Sequence, residues 1–433
     1  MRPAGKGPLE SLYFGYPKFA ARRVPELDGV TARHPVLIAG AGPIGMTAAL
    51  VLSRDGIRSV LIDRKDTFND GSRAICIARP SMHILERVGA VAPFLEKALG
   101  WRFGRSDYRG EQIFRLEMPH PANEKYLPMY NLQQQYIEKY LHDAVVANDL
   151  IDMRWQSELA GIEPDADGVS ARIASPEGDY RLDARYMLAA DGARSKLRER
   201  AGIATHGWDY DQSGIVVTVG HERAHHGRAE EHFLPAGPFA ILPLKGNRSN
   251  IVWAEPRAVA EALLKMDEAD FLAELRRRFG DFLGELSLEG PRFGYPLSLQ
   301  LAERMIDQRV ALAGDSAHGI HPLAGQGLNL GLKDCAALAE CIADAVSLGL
   351  DPGDVSALER YQRWRRFDNV TMALGMEAFD KLFSNEIAPV RAARRLGLAA
   401  VNAVGPARRF FMKYAGGAAG NLPKLLRGES LAA

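Results

Sequence analysis

Two glycine-bearing stretches far apart in the chain hold the residue types and spacings that could do chemistry. The first, His34-Pro-Val-Leu-Ile-Ala-Gly40-Ala-Gly42-Pro43-Ile44-Gly45, predicts a buried strand, a turn and the start of a helix. Gly40 and Gly42 would allow the tight turn and let backbone approach a pyrophosphate, while Gly45 lets the helix pack on the strand. Val60-Leu-Ile-Asp63 supplies a second strand, and its acid falls 21 residues after Gly42, where a ribose-binding carboxylate belongs. A strand before, a helix after and an acid at this distance together predict dinucleotide binding. The second stretch runs Arg309-Val-Ala-Leu-Ala-Gly314-Asp315-Ser-Ala-His318-Gly-Ile-His321-Pro322-Leu-Ala-Gly325-Gln326-Gly327-Leu328-Asn329. Residues 310–313 predict a short buried strand and 324–327 a glycine-rich turn. An apolar-periodic helix follows through Leu328, Leu332, Ala336 and Leu338. A carboxylate at a strand end and free N–H groups at a helix start suit one large polar cofactor. Asp315 would meet a hydroxyl chain, and the helix N-terminus an electron-poor ring.

The elements around these motifs follow from pattern and turn chemistry. A chain of 433 residues predicts two or three subdomains. Apolar residues at 47% and charged ones at 25% are the profile of a folded globular protein. Lysine plus arginine equals aspartate plus glutamate, 54 each, so global charge predicts neither nucleic-acid binding nor strong membrane attraction. Cys76, Cys335 and Cys341 show no paired spacing, which fits core packing in a reducing, cytoplasmic setting. The uncharged run 36–53 is long enough for a membrane span, but its glycines and proline argue for strand, turn and helix. Residues 1–33 lack an apolar signal core and predict an extended arm.

Further along, a helix is expected over 80–88, an irregular aromatic excursion over 101–128 and an amphipathic helix over 130–141. Strands are expected at 168–174, 180–182 and 186–190. The last leads into Asp191-Gly192-Ala193-Arg194-Ser195 and a basic helix over 196–201. Residues 213–256 are β-rich, 258–279 predict one helix, and 293–299 return to a strand. The fold class is α/β: a Rossmann-like dinucleotide-binding domain interrupted by a β-sheet domain, with a helical C-terminal segment. The first would comprise 34–102, 129–212 and 296–372, the second 103–128 and 213–295, and the last 373–433.

Three motifs in this order resemble the single-component FAD-dependent aromatic hydroxylases of the para-hydroxybenzoate hydroxylase fold: Gly40–Gly45, Asp191-Gly192, and Gly314-Asp315 with its trailing glycines. The resemblance implies an FAD-dependent monooxygenase that uses NADH or NADPH and dioxygen to hydroxylate an aromatic ring. By it, Gly40, Gly42, Pro43, Ile44, Gly45, Asp63 and Arg64 would hold the ADP half of FAD, with Arg73 near the pyrophosphate. Gln134, or Gln133 one register earlier, would contact the ribityl region, and Asp191 would serve both FAD and the nicotinamide cofactor. Gly314 and Asp315 would hold the ribityl chain. Pro322, Gly325, Gln326, Gly327, Leu328 and Asn329 would line the isoalloxazine ring. Reduced flavin carries negative charge at its pyrimidine edge, which the helix start at Leu328 would favour by about 0.3–2 kcal/mol per interaction.

Within that fold, His318 to Asp334 and Gly237-Pro-Phe-Ala-Ile-Leu-Pro-Leu244 resemble the ubiquinone-biosynthesis hydroxylases. Pro25-Glu-Leu-Asp28, Gly71-Ser-Arg-Ala-Ile-Cys76 and Asn131-Leu-Gln-Gln134 resemble the 3-(3-hydroxyphenyl)propionate and phenol hydroxylases. Because the middle sheet holds the ring in this fold, a ubiquinone precursor or similar prenylated phenol is favoured over a small phenolic acid. Rival readings are a flavin-dependent reductase that never activates oxygen and a non-catalytic FAD-binding accessory protein. His206, Tyr210 and Tyr295 are candidates for a phenol-activating base. No metal is implied: His221, His225, His226 and His232 lack ligand spacing and predict a solvated loop. Residues 391–414 alternate apolar and basic residues, which suits peripheral contact at an inner membrane face or packing on the chain's own domain. A homo-oligomer or a quinone-synthesis assembly is the partner expectation.

Overall fold

The computed structural model describes residues 10–11, 14–69, 74–108, 111–320, 325–384 and 420–431. Its first layer is an eight-stranded sheet in the order Ile151–Arg154, Ser59–Ile62, Arg33–Ala39, Tyr180–Ala189, Val169–Ala174, Glu158–Pro164. Val310–Leu312 runs parallel to Tyr180–Ala189, with Ile306–Asp307 beyond it. The central strands are apolar on both faces, as a covered parallel sheet requires: Val36 to Ala39, Val60 to Ile62 and Tyr186 to Ala189 are all buried. Tyr180–Ala189 is one continuous strand where two short ones were expected. Its first half alternates exposed and buried residues and its second half enters the core. Helices Pro43–Arg54 and Gly327–Ser347 pack against each other over this sheet.

The second layer is a nine-stranded sheet that includes Thr205–His221, Arg228–Leu234, Gly237–Leu244, Arg248–Pro256 and Phe293–Ala302. Residues 101–128 are not irregular throughout. Phe103–Tyr108 joins this sheet parallel to Arg228–Leu234 and carries Glu111–Glu117 antiparallel on its other side. Period-2 alternation divides the faces. Ile215, Val217, Phe239, Ile251 and Trp253 turn outward onto two helices, Arg257–Lys265 and Glu268–Phe279. The single helix expected over 258–279 is broken at Asp267, whose side chain caps the second helix by accepting the Asp270 N–H at 2.9 Å.

Between the layers lies a three-stranded sheet, Ala74–Ala78, Met129–Gln133 and Leu99–Trp101. The helix expected over 130–141 starts only at Gln134; Met129–Gln133 is a strand buried at all five positions. A strand covered on both faces shows no alternation, so its apolar residues read equally well with a helical period. His221 and His232 are likewise strand residues, not parts of a solvated loop. Asp107, Glu230 and His232 do come together, but Arg105 and Arg228 pair the two carboxylates and already neutralise the charge a cation would.

The N-terminal arm docks on the first layer through its aromatic residues. Phe19 stacks on Trp155 with ring centroids 4.4 Å apart. Glu26 receives Arg154 through two 3.0 Å hydrogen bonds, and both side chains are buried. The long helix Val355–Ser384 follows, and its Tyr361 donates to the Leu312 carbonyl at 2.7 Å. Residues 391–414 lie outside the described residues. Among those described, no helix is long and apolar enough to cross a membrane.

Burial alone would push the Glu26 carboxyl up, but hydrogen bonds and charge from Arg154 outweigh it and hold the group below its ordinary value. Its contribution to stability is therefore present above the usual carboxylate range and is lost as pH falls through the depressed value. Glu26→Ala should cost about 1–3 kcal/mol in urea unfolding at neutral pH, because it leaves the buried Arg154 guanidinium with Asp152 as its remaining carboxylate. The deficit should shrink as pH falls below the ordinary carboxylate range, through the depressed Glu26 value.

Candidate active site

The first turn is set by how closely three backbone segments meet. Gly40 has φ +105°, and a Cβ there would stand 2.4 Å from the Ala190 carbonyl oxygen and 2.8 Å from the Asp191 Cα. Only glycine fits this conformation and this approach. Asp63, half-buried at the end of its strand, accepts the Ala41 N–H at 2.7 Å and the Lys65 N–H at 2.9 Å, so it fastens the turn. Gly42 caps the helix Pro43–Arg54, and the space its Cβ would enter is open, with Asn69 Nδ2 the nearest atom at 4.0 Å. Arg64 is exposed beside it. Arg73 lies outside the described residues.

The second turn is built onto the first. Ile44 fills the gap between Gly314 and the helix Gly327–Ser347: a Cβ on Gly331 would meet Ile44 Cδ1 at 2.5 Å and the Gly314 Cα at 3.1 Å. Asp315 is half-buried in the one-turn helix Gly314–Ser316. Asp334, which the motif reading did not assign to the site, holds this turn from behind. Its Oδ2 accepts the Gly314 N–H at 3.0 Å and His318 Nε2 at 2.5 Å, and its Oδ1 accepts Arg365 Nε at 2.8 Å. Burial would raise the Asp334 carboxyl, but His318 and Arg365 outweigh it and hold it down at about 2. Its neighbour Lys333 is buried too, and desolvation, with Arg365 nearby, pulls its ammonium down to about 8.

Asn329 joins the helix start to the three-stranded sheet. Its Oδ1 accepts the Ala78 N–H and the Ser81 hydroxyl, and its Nδ2 donates to the Cys76 carbonyl at 2.8 Å. The side chain is thus a clamp between the helix start and that sheet. Gln326 is buried and precedes the helix, Leu328 is half-buried, and no atom lies within 4 Å of a Cβ added at Gly327. Gly325 packs on Cys76, and Pro322 and His321 lie outside the described residues.

Asp191 offers one open position. Its Oδ2 accepts the Leu197 N–H at 3.2 Å while its buried Oδ1 has no partner, and burial pushes its carboxyl up. Gln134 donates to Glu138 at 2.6 Å, and Asn69 donates to the same buried carboxyl through backbone and side chain. Gln133 is buried at the strand end before it. The three base candidates separate. His206 is exposed, Tyr210 donates to Glu377 at 2.5 Å, and Tyr295 lies over Gly214 on the inward sheet face.

That inward face closes the site. Ala229 and Leu242 pack against Cys76, Ala78 and Met129. Two open glycine approaches, an unpartnered aspartate oxygen and a bare helix start, all in one chain of contacts, fit an elongated dinucleotide with a ring at its far end.

A family model described as FAD binding domain matches residues 33–369. The chain belongs to that family. FAD is its cofactor, and by fold and family the chain is an FAD-dependent monooxygenase. Ubiquinone hydroxylase UbiL of Rhodospirillum rubrum is 42% identical over 414 residues, 92% of this chain and 93% of that protein. The 3-demethoxyubiquinol 3-hydroxylase of Escherichia coli is 31% identical, over 88% of this chain and 97% of its own. The solved structure of p-nitrophenol 4-monooxygenase PnpA from Pseudomonas putida shares the fold, with TM-score 0.76 and 21% identity over 91% of this chain and 100% of that one.

Gly40→Ala should yield protein that purifies without flavin, read as lost absorbance near 450 nm, about the flavin band. Asp334→Asn leaves Arg365 short of a buried countercharge and should cost about 3 kcal/mol in thermal unfolding, with FAD retention falling alongside. Lys333→Met should raise stability at pH 7. The native lysine costs most below its folded value of about 8, and the cost fades as pH rises towards the unfolded 10.5. The two proteins should therefore converge near pH 10, about the upper end of that window.

Proposed function

We propose that this chain hydroxylates the aromatic ring of a ubiquinone precursor, with FAD bound and NAD(P)H and dioxygen as co-substrates. Similarity to a ubiquinone hydroxylase over nearly the full length of both chains carries this reading. The site supports it by charge. The inward positions nearest Cys76, namely Ser106, Ala229, Glu231, Phe233, Ala240 and Leu242, include one carboxyl and no cation. A small phenolic acid would bring a second carboxylate into this low-dielectric wall at a cost of several kcal/mol, about the penalty of an uncompensated buried charge. A neutral phenol with an apolar tail would not.

FAD, when bound, would supply the two-electron redox chemistry by which NAD(P)H and dioxygen give one oxygen atom to the ring and one to water. The chain's own residues bind and orient. Gly40, Gly42, Pro43, Ile44, Gly45, Asp63, Arg64 and Arg73 would hold the adenosine diphosphate end. Asp191, Gln134, Gly314 and Asp315 would hold the middle. Residues 325–329, with Pro322, would present backbone N–H groups to the electron-accepting edge of the ring. The apolar residues opposite exclude water, which strengthens those interactions. The split into a cofactor-binding part and a β-rich substrate part belongs to the same proposal, as does contact of residues 391–414 with a lipid surface that carries a tailed substrate.

NAD(P)H oxidation should be stimulated by prenylated phenols more than by small phenolic acids, and the product should gain one atom from isotopically labelled dioxygen. Oxidation without oxygen gain would mark a reductase. Preference for phenolic acids would mark the other hydroxylase branch.

A further inference from the structure

Glu231 stands apart from the other acids among the described residues. Strand pairing puts it opposite Ala240 on one side and Ser106 on the other, in the row of Ala229 and Phe233. Ala229 packs on Cys76 and Met129, so this row faces the three-stranded sheet and, through the Asn329 clamp on Cys76 and Ala78, the flavin end of the site. Glu230 and His232 point the other way, where His232 meets the Arg278 carbonyl and the ring of Phe239. The Glu231 carboxyl lies deep in the protein yet keeps part of its surface uncovered, as a wall residue does. Burial is the sole influence on it, and it pushes the group up to about 8. A carboxyl buried without a partner costs stability, so its retention points to a ligand.

We propose that Glu231 accepts the hydroxyl proton of the aromatic substrate. This rests on the proposed function and adds a base in the row beside Cys76; of the earlier candidates, Tyr295 lies over Gly214 on the same face, Tyr210 donates to Glu377 and His206 is exposed. The phenol O–H bond breaks with its electron pair left on oxygen, and a new O–H bond forms on a Glu231 carboxylate oxygen. No electron changes hands in this step. The ring becomes electron-rich, and the proton leaves to water with the product. A base that ionises near working pH is matched to a phenol, whose own value lies near 10, about that of tyrosine.

The groups around Glu231 leave its charge to the substrate. The strand Ala74–Ala78 brings Cys76, whose thiol burial pushes up to about 12 and keeps neutral. Met129–Gln133 brings Met129 and Asn131, and Gly237–Leu244 brings Ala240 and Leu242. On Phe103–Tyr108, Arg105 and Asp107 pair with each other in line with Glu230 and His232, on the face away from Glu231. The helix Val355–Ser384 packs on Arg228–Leu234 itself and brings Glu377, which already accepts from Tyr210.

The test is hydroxylated product from a neutral phenol, measured as kcat/KM against pH on FAD-loaded enzyme. Wild type should rise with pH and level off above about 8, the ionisation of Glu231. Glu231→Gln should lose that limb and fall by about 10²-fold or more, the usual worth of a general base. Glu231→Asp should keep the limb at a lower level, and it decides the matter if the glutamine variant does not hold FAD. The methyl ether of the same phenol, which has no proton to give, should bind wild type and Glu231→Gln alike. Equal hydroxylation by wild type and Glu231→Gln overturns Glu231 alone, as does a flat wild-type profile or weaker binding of the ether to Glu231→Gln. A wild type that oxygenates no phenol overturns the proposed function as well.

Discussion

Ile44 lies where the two halves of the cradle would otherwise part. It belongs to the first turn, yet its side chain fills the space that Gly314 and Gly331 leave in the second. Each of those positions would need a neighbour to shift if it carried a Cβ. Packing at this density is bistable, not elastic: the turns are held in one relation or the contact is lost. An elongated cofactor would need that fixed relation if, as proposed, one end lies on the Gly40 turn and the other at the start of the helix Gly327–Ser347.

Buried polar residues do the rest of the positioning. Asn329 fixes the helix start to the strand Ala74–Ala78 by satisfying a donor, the Ala78 N–H, and an acceptor, the Cys76 carbonyl. Asp334 fixes the Gly314 turn while taking charge from Arg365 and His318. Such groups are costly to bury and costlier to unpair, so they favour one geometry over its near neighbours. The helix start is thereby held in place by side chains engaged away from its N-terminal end.

What the sequence disclosed follows from the range of each cause. Gly40, Gly42, Asp63 and Gly314-Asp315 answer local demands of a turn or a strand end, and these leave a mark in spacing. The alternating inward and outward rows do not. Glu230 and Glu231 are adjacent and alike in type, and only the register against Phe103–Tyr108 and Gly237–Leu244 separates an arginine-paired acid from one facing the site. The spacing marks Asn329 as part of the helix start, but its side-chain bonds to Cys76 and Ala78 span 253 and 251 residues of sequence and leave no local pattern. Asp334 and Arg365 act through a helix pair whose meeting no local pattern announces. Met129–Gln133 was mistaken for helix because burial on both faces erases the period that distinguishes the two.

The most direct test of the cradle is a double-mutant cycle on FAD affinity, with Ile44→Ala and Gly331→Ala titrated as apoproteins by flavin fluorescence. Gly331→Ala overpacks against Ile44 and should weaken FAD by about tenfold or more, within the usual cost of overpacking. Ile44→Ala should be milder, and the double variant should recover much of the loss, a coupling expected of residues in contact. Additive losses, or FAD binding indifferent to Gly331→Ala, would contradict the account that one contact joins the two turns into a single site.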